Sequence, residues 1–212
     1  MPRPSRRPSA RFDADPYGSV AMPAPSAARE WYVNDRLDFR ICKPRGWHFV
    51  VNADYHEQMR KQQGSPSLGG DLLGHLHELS GDPLLVIAKY GAHEDFGPAE
   101  AVCPVIHVYA SPSEASDVLC EARATERAFR RLHHGYERSA AVRPMKVGGA
   151  PGAGFAYRYV MGEDARLPVY VQARMANGRV AHFSIGMSGP PDGPDRADEE
   201  FAMAWASLHI GV

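Results

Sequence analysis

The sequence predicts an α+β fold: an α/β/α sandwich with a mostly antiparallel sheet ending in a three-strand meander, one long central helix and a C-terminal helix. Three observations predict it. Residues 154–187 read as consecutive strands GFAYRYVM, PVYVQARM and RVAHFSIGM, each alternating at period two. Residues 111–135 carry apolar positions at helical spacing between a start signal and a glycine. Strands and helices also come in runs, with no repeated right-handed βαβ unit.

In chain order, residues 1–29 stand apart. They hold six prolines and five arginines, with serine and alanine filling most gaps. Such a segment buries too little apolar surface to offset its ordering entropy, so a disordered Pro/Arg/Ser-rich tail is expected. Arg6-Arg7 is followed by no apolar export region, because Pro23 interrupts Val20-Ala21-Met22. A single domain is expected from residue 30 to residue 212, a length that suits one ordinary core.

Trp31-Tyr32-Val33 reads as a short edge strand. Leu37, Phe39 and Ile41 alternate with Asp38, Arg40 and Cys42, which gives a strand ended by the turn Pro44-Arg45-Gly46. Trp47, Phe49 and Val51 form another apolar row. A short helix is expected over 54–62, then a glycine-rich loop over 63–80 with a helical turn at 72–79. PLLVIAKY (83–90) is a near-continuous apolar run and predicts a central strand. VCPVIHVYA (102–110) predicts another, with Pro104 at an edge or a bulge.

Ser111-Pro112-Ser113-Glu114 reads as a capping box opening the long helix. Its inner stripe is Ala115, Val118, Ala122, Thr125, Phe129 and Leu132. Acids lead and bases trail along it, as the helix dipole favours, and Gly135 ends it. A strand over 141–147 and a glycine-rich turn over 148–154 lead into the meander. The last helix starts at Asp195 and buries Ala197, Phe201, Ala204, Trp205 and Leu208.

Register follows from the turns. A three-residue loop Ala176-Asn177-Gly178 would pair Ala173 with Ala181, Val171 with Phe183 and Val169 with Ile185, with Gly178 left-handed. A five-residue loop over 162–166 pairs Tyr159 with Val169 and Tyr157 with Val171. One face then carries Arg158, Tyr170 and Ser184 in one row and Ala156, Gln172 and His182 in the next, with Arg174 beside them. Those six polar residues, Arg158, Tyr170, Gln172, Arg174, His182 and Ser184, are the candidate binding face.

Other chemistries fit the residues less well. Lys plus Arg number 24 and Asp plus Glu 25, so no overall field points to nucleic acid. No apolar run is long enough to span a bilayer. Cys42, Cys103 and Cys120 are scattered and odd in number, which fits free thiols in a reducing cytoplasm, buried and inert in their strands and helix. The run Gly148-Gly149-Ala150-Pro151-Gly152-Ala153-Gly154 precedes a strand and lacks the Lys-Ser/Thr of a phosphate loop, so it reads as a strand-to-strand turn. His75-Leu76-His77-Glu78 supplies too few converging ligands for zinc, and no metal or cofactor is expected. His133-His134 read as cations at the helix C-terminus. Arg123, Arg127, Arg130 and Arg131 read as a solvated face, with Glu126 one turn before Arg130. No catalytic residue is assigned. A hydrolytic or small-molecule-binding enzyme using His182 with Tyr170, Arg158 and Ser184 is the alternative to a binding face.

A resemblance adds to this reading. The strand and turn Phe39-Arg40-Ile41-Cys42-Lys43-Pro44-Arg45-Gly46-Trp47, the long mid-chain helix, Gly-Gly-x-Pro-Gly at 148–152 opening a strand with Tyr157, the meander and the final helix together resemble the PsbP-like α/β/α sandwich over about residues 31–212. That fold group includes an extrinsic photosystem II protein, a Ran-binding transport factor and DcrB-like bacterial proteins. The resemblance implies a non-enzymatic protein that binds another protein, assists assembly or serves secretion as a chaperone. It carries no catalytic residues over. A bacterial-type, cytoplasmic protein is the expectation, since neither an export signal nor a plastid context accompanies the match.

Overall fold

The computed structural model describes residues 30–50, 82–90, 102–112, 117–161, 166–192 and 197–212. The tail and the helical stretches expected over 54–62 and 72–79 lie outside them. The described elements are, in order, β1 (Trp31–Asn34), β2 (Phe39–Cys42), β3 (His48–Val50), β4 (Leu85–Ala88), β5 (Val105–Pro112), α1 (Val118–Leu132), β6 (Glu137–Val147), β7 (Ala150–Met161), β8 (Leu167–Asn177), β9 (Ala181–Gly189), α2 (Asp198–Ser207) and β10 (His209–Ile210). They form a seven-stranded sheet, β3-β4-β5-β9-β8-β7-β6, and a three-stranded sheet, β1-β2-β10. Every described pair is antiparallel. The fold is α+β, with the meander at one end of the large sheet.

Each face of the large sheet carries a packed layer over part of its width. On one, α2 and the small sheet pack Phe39, Ile41, Phe201 and Trp205 against Phe183, Ile185 and Met187 of β9. On the other, α1 packs Ala122 and Phe129 against Phe155, Tyr157 and Val171 of β7 and β8. We call these the α2 face and the α1 face. All five residues expected on the inner side of the last helix are buried. Leu37, Phe39 and Ile41 are buried as their alternation requires, and the all-buried β4 lies between β3 and β5.

The glycine-rich run is a hairpin turn. Val147 pairs with Ala150, and Gly148 and Gly149 between them have φ of 59° and 95°. Two successive left-handed residues make the tight turn whose twist matches the strands, and glycine adopts them without a Cβ clash. β10 was not visible in the sequence. It is only two residues long, and it pairs with β2 through His209 with Arg40 and Ile210 with Phe39.

Two local expectations are corrected. Ser111 and Pro112 do not cap the helix; they finish β5, opposite His182 and Ala181. The cap is Asp117, whose Oδ1 accepts from the Leu119 N–H (2.9 Å) and the Cys120 N–H (3.3 Å). An aspartate in that place meets the same need for orphan N–H groups. Glu126, expected on the solvated face, is buried. It accepts from the Tyr136 hydroxyl at 3.1 Å and pairs with Arg138.

The third correction concerns register. β7 and β8 pair as expected, Tyr159 with Val169 and Tyr157 with Val171. β8 and β9 do not. Ala176 pairs with Phe183, Arg174 with Ile185 and Gln172 with Met187, an odd shift from the expected register. The turn is Gly178 to Ala181, closed by the Gly178 N–H on the Ala181 carbonyl at 2.9 Å. Gly178 is not left-handed; its glycine is needed because a Cβ would lie 2.8 Å from Ile210 Cγ2. An odd shift exchanges the faces of a strand. Here it sends Phe183, Ile185 and Met187 to the α2 face and the smaller His182, Ser184, Gly186 and Ser188 to the α1 face.

Candidate functional site

The odd shift in β9 splits the six polar residues expected on one face. Arg158, Tyr170, Gln172 and Arg174 stay together on the α2 face, set by the β7–β8 ladder: Arg158 opposite Tyr170, Ala156 opposite Gln172, Gly154 opposite Arg174. His182 and Ser184 are on the α1 face, with the sheet between them and the other four. The constellation of His182 with Tyr170, Arg158 and Ser184 therefore does not exist. The sequence could not separate these readings, because both faces of β9 are packed and period two does not say which apolar set meets which layer.

On the α2 face, β8 alternates Tyr170, Gln172 and Arg174 outward from Val171, Ala173 and Met175, which are buried against α1. Trp205, one of the buried residues of α2, anchors this row. Its Nε1–H donates to Gln172 Oε1 at 2.9 Å, and the Arg174 guanidinium carbon sits 3.8 Å from its ring centroid. A planar cation over an indole face gains electrostatic attraction that grows as water is removed. Gly154, next to Arg174 on β7, leaves the space that the Arg174 stem and the Met145 sulfur occupy; a Cβ there would lie 3.1 Å and 3.0 Å from them.

Beyond Gly154, in the same row on β6, stands Arg143. Burial, and then the charge of Arg143, hold the Arg174 guanidinium below its ordinary value. Tyr170 is held above its ordinary value, first by burial and then by Asp198. Arg143 and Arg158 are exposed, and Tyr170, Gln172 and Arg174 are half-buried. The result is a cationic, amphipathic strip along β7 and β8 with one end locked to α2.

On the α1 face, His182 is buried between two elements. Its Nδ1–H donates to Asn177 Oδ1 at 2.7 Å; Nε2 lies 3.1 Å from Glu121 Oε1 and 3.4 Å from Ser184 Oγ. Burial, the larger effect, holds this imidazole below the ordinary histidine value against the opposing pull of Glu121. The hydroxyl of Ser184 sits in mid-strand, between β5 and β8, with its main chain committed to ladder pairing. This cluster ties the first turn of α1 to the β8–β9 hairpin.

His133 is likewise buried, which corrects its reading as a helix-end cation. It stacks on Tyr159 (4.2 Å between centroids), Phe129 (5.1 Å) and Tyr157 (5.3 Å), and burial pushes its pKa down to about 4. Arg123, Arg127, Arg130 and Arg131 are exposed, as expected. The cysteines are free thiols, but Cys120 is exposed and Cys42 and Cys103 are half-buried, so buried inertness does not describe them. Among the described residues no group of three His, Cys, Asp or Glu is placed to hold a metal, and His75 and His77 lie outside them. No described helix is long and apolar enough to cross a membrane.

Sequence reasoning missed Arg143, Trp205, Asn177 and Glu121 as neighbours of these polar residues. Trp205 carried a usable signal: a buried tryptophan still needs an acceptor for its N–H, and the sheet it packs on presents Gln172.

No protein-family model and no curated protein sequence matches the chain. Among solved structures, it is similar to LpqN of Mycobacterium tuberculosis, involved in cell envelope biogenesis, with a TM-score of 0.52 at 11% identity over 82% of this chain and 83% of that one. It is also similar to the cyanobacterial PsbP protein CyanoP of Synechocystis, with a TM-score of 0.48 at 14% identity over 91% of this chain and 96% of that one. At these identities the likeness is one of fold.

Proposed function

We propose that this chain is a non-enzymatic protein-binding domain of the assembly or secretion-accessory kind, and that its partner docks on the α2 face of β7 and β8. One observation carries the reading: Arg174 is already fixed over Trp205, and Trp205 is clamped in turn by Gln172. Large, pre-ordered Arg and aromatic anchors are what concentrate binding energy at protein interfaces, because little rotamer entropy remains to be lost. The exposed Arg158 and half-buried Tyr170 extend the same strip. The shared fold with a protein involved in cell envelope biogenesis supports an accessory role. The three free thiols support the cytoplasm as the compartment.

The test is site-directed photocrosslinking in lysate of the source cell. A photoreactive residue at exposed Pro168, on the rim of this face, should crosslink one protein. The same residue at Arg127, on the outer side of α1, should not. That protein, once purified, should form a stoichiometric complex in gel filtration. Equal crosslinking from both positions, or none from Pro168, would remove the face from consideration.

A further inference from the structure

We propose that the partner presents an acidic, extended segment to this face, with a carboxylate received by Arg174 and Arg143. The inference rests on the protein-binding reading above and adds the chemistry of recognition.

Three arginines converge on one side of β6, β7 and β8. Arg143 and Arg174 occupy one cross-strand row, separated only by Gly154; Arg158 lies four residues further along β7, opposite Tyr170. Among the described residues, none of the three forms an ion pair with a carboxylate. Glu137 stands opposite Arg158 in the β6–β7 ladder, and Asp198 lies close enough to Tyr170 to raise its pKa. Among the described residues two other arginines are paired, Arg138 with buried Glu126 and Arg179 with Asp38. The chain as a whole carries a net charge of −1, so the cationic character belongs to the strip and not to the molecule.

Two guanidinium groups held near each other repel, and the half-burial of Arg174 raises that cost. An incoming carboxylate removes it and accepts the fork of N–H donors in a planar, bidentate way. Stacking on Trp205 fixes the plane of Arg174, so the donor geometry is set before the ligand arrives. Tyr170 and Gln172 give an extended chain additional polar contacts in the neighbouring rows. A phosphate would also satisfy two arginines. The long strip, with small Gly154 and Ala156 along its floor, favours a chain of carboxylates over a single compact anion.

The experiment uses the full chain and three fluorescent peptides of equal length, alternating Glu-Ala, Gln-Ala and Lys-Ala, with fluorescence anisotropy at low and high salt. The Glu peptide should bind at least about tenfold more tightly than the Gln peptide, and added salt should weaken it. Arg174→Gln should reduce binding of the Glu peptide about tenfold and Arg143→Gln by a smaller factor, whereas Arg127→Gln on α1 leaves it unchanged. Arg174→Lys keeps the charge without the fork and should fall between; circular dichroism and a melting curve establish that each variant is folded. If inorganic phosphate competes at equal carboxylate-equivalent concentration and the Glu peptide shows no advantage, the anion is compact and the acidic-segment proposal is wrong. Equal affinity of Glu and Gln peptides, or no effect of Arg174→Gln, overturns it as well. Should the peptides fail while Pro168 still crosslinks a partner, the carboxylate chemistry falls and the protein-binding reading stands. Failure of both removes both.

Discussion

Arg174 of β8 and Trp205 of α2 face each other at 3.8 Å from guanidinium carbon to ring centroid, and this contact joins the sheet to its C-terminal helix. The ring is held from a second side by its N–H bond to Gln172. Trp205→Phe keeps an aromatic ring in the site, removes that donor and weakens the attraction to Arg174. We expect a loss of about 1–2 kcal/mol in urea unfolding, seen as a lower midpoint at unchanged slope. In a double-mutant cycle, Gln172→Met should recover part of the loss by removing the acceptor left without its donor. A Phe variant as stable as the parent would mean that the ring is not clamped.

Much of the architecture was legible because it depends on local pattern. The Leu37, Phe39, Ile41 alternation, the buried run at Leu85–Ala88 and the inner residues of α2 follow from which side chains must leave water. The four-residue half of the candidate face was also legible, since the β7–β8 register rests on a tyrosine and valine row. His182 and Ser184 were misplaced for a tertiary reason. Both faces of β9 are packed, so swapping its faces costs little in pattern, and the observed turn sets Gly178 against Ile210, thirty-two residues away in the chain. Glu126 was misread because a carboxylate four residues before an arginine looks like a surface pair; its true partners, Tyr136 and Arg138, come from the next strand and its approach.

Close backbone approach gives a sharper test of the hairpins. A Cβ at Gly152 would overlap the Met175 carbonyl oxygen and lie 2.8 Å from Val147 Cγ2, whereas one at Gly186 meets nothing within 4 Å. Neither glycine is left-handed, so backbone strain does not enter. Gly152→Ala should therefore destabilise by about 2–3 kcal/mol, the cost of forcing a tight ladder apart, while Gly186→Ala should stay within about 0.5 kcal/mol. Thermal melts of the two variants decide it; similar shifts for both would contradict the β7–β8 packing.

Glu126 supplies a prediction about buried polarity. Its carboxylate is enclosed between α1 and the start of β6 and bonded to the Tyr136 hydroxyl and to Arg138. Glu126→Ala leaves a small void and a tyrosine hydroxyl without its acceptor, for an expected loss of about 2 kcal/mol by chemical denaturation. Tyr136→Phe should recover part of that loss when combined with it, because the stranded hydroxyl is gone. Strict additivity of the two substitutions would show that the carboxylate and the hydroxyl do not interact.

His133 gives stability a pH dependence whose sign is fixed by its surroundings. It lies buried among the rings of Phe129, Tyr157 and Tyr159, its Nδ1 without a hydrogen bond, and its pKa falls from 6.5 to about 4. Between those values the unfolded chain binds a proton that the folded chain excludes. Stability is therefore full above about pH 6.5, declines as pH falls, and stops declining on this account near pH 4. At pH 5 the loss from this one residue is about 2 kcal/mol, from 1.36 kcal/mol per unit over the interval below 6.5. His107, also held near 4 by burial, adds its own loss, so the parent should weaken in acid more than one histidine explains. His133→Phe keeps the aromatic stack without a titrating group. Its unfolding free energy should drop by about 2 kcal/mol less than the parent's between pH 7.5 and pH 5, measured in urea at both. Parallel pH profiles for the two proteins would mean that His133 takes up its proton in the folded state as readily as in the unfolded one, and that the aromatic enclosure does not exclude it.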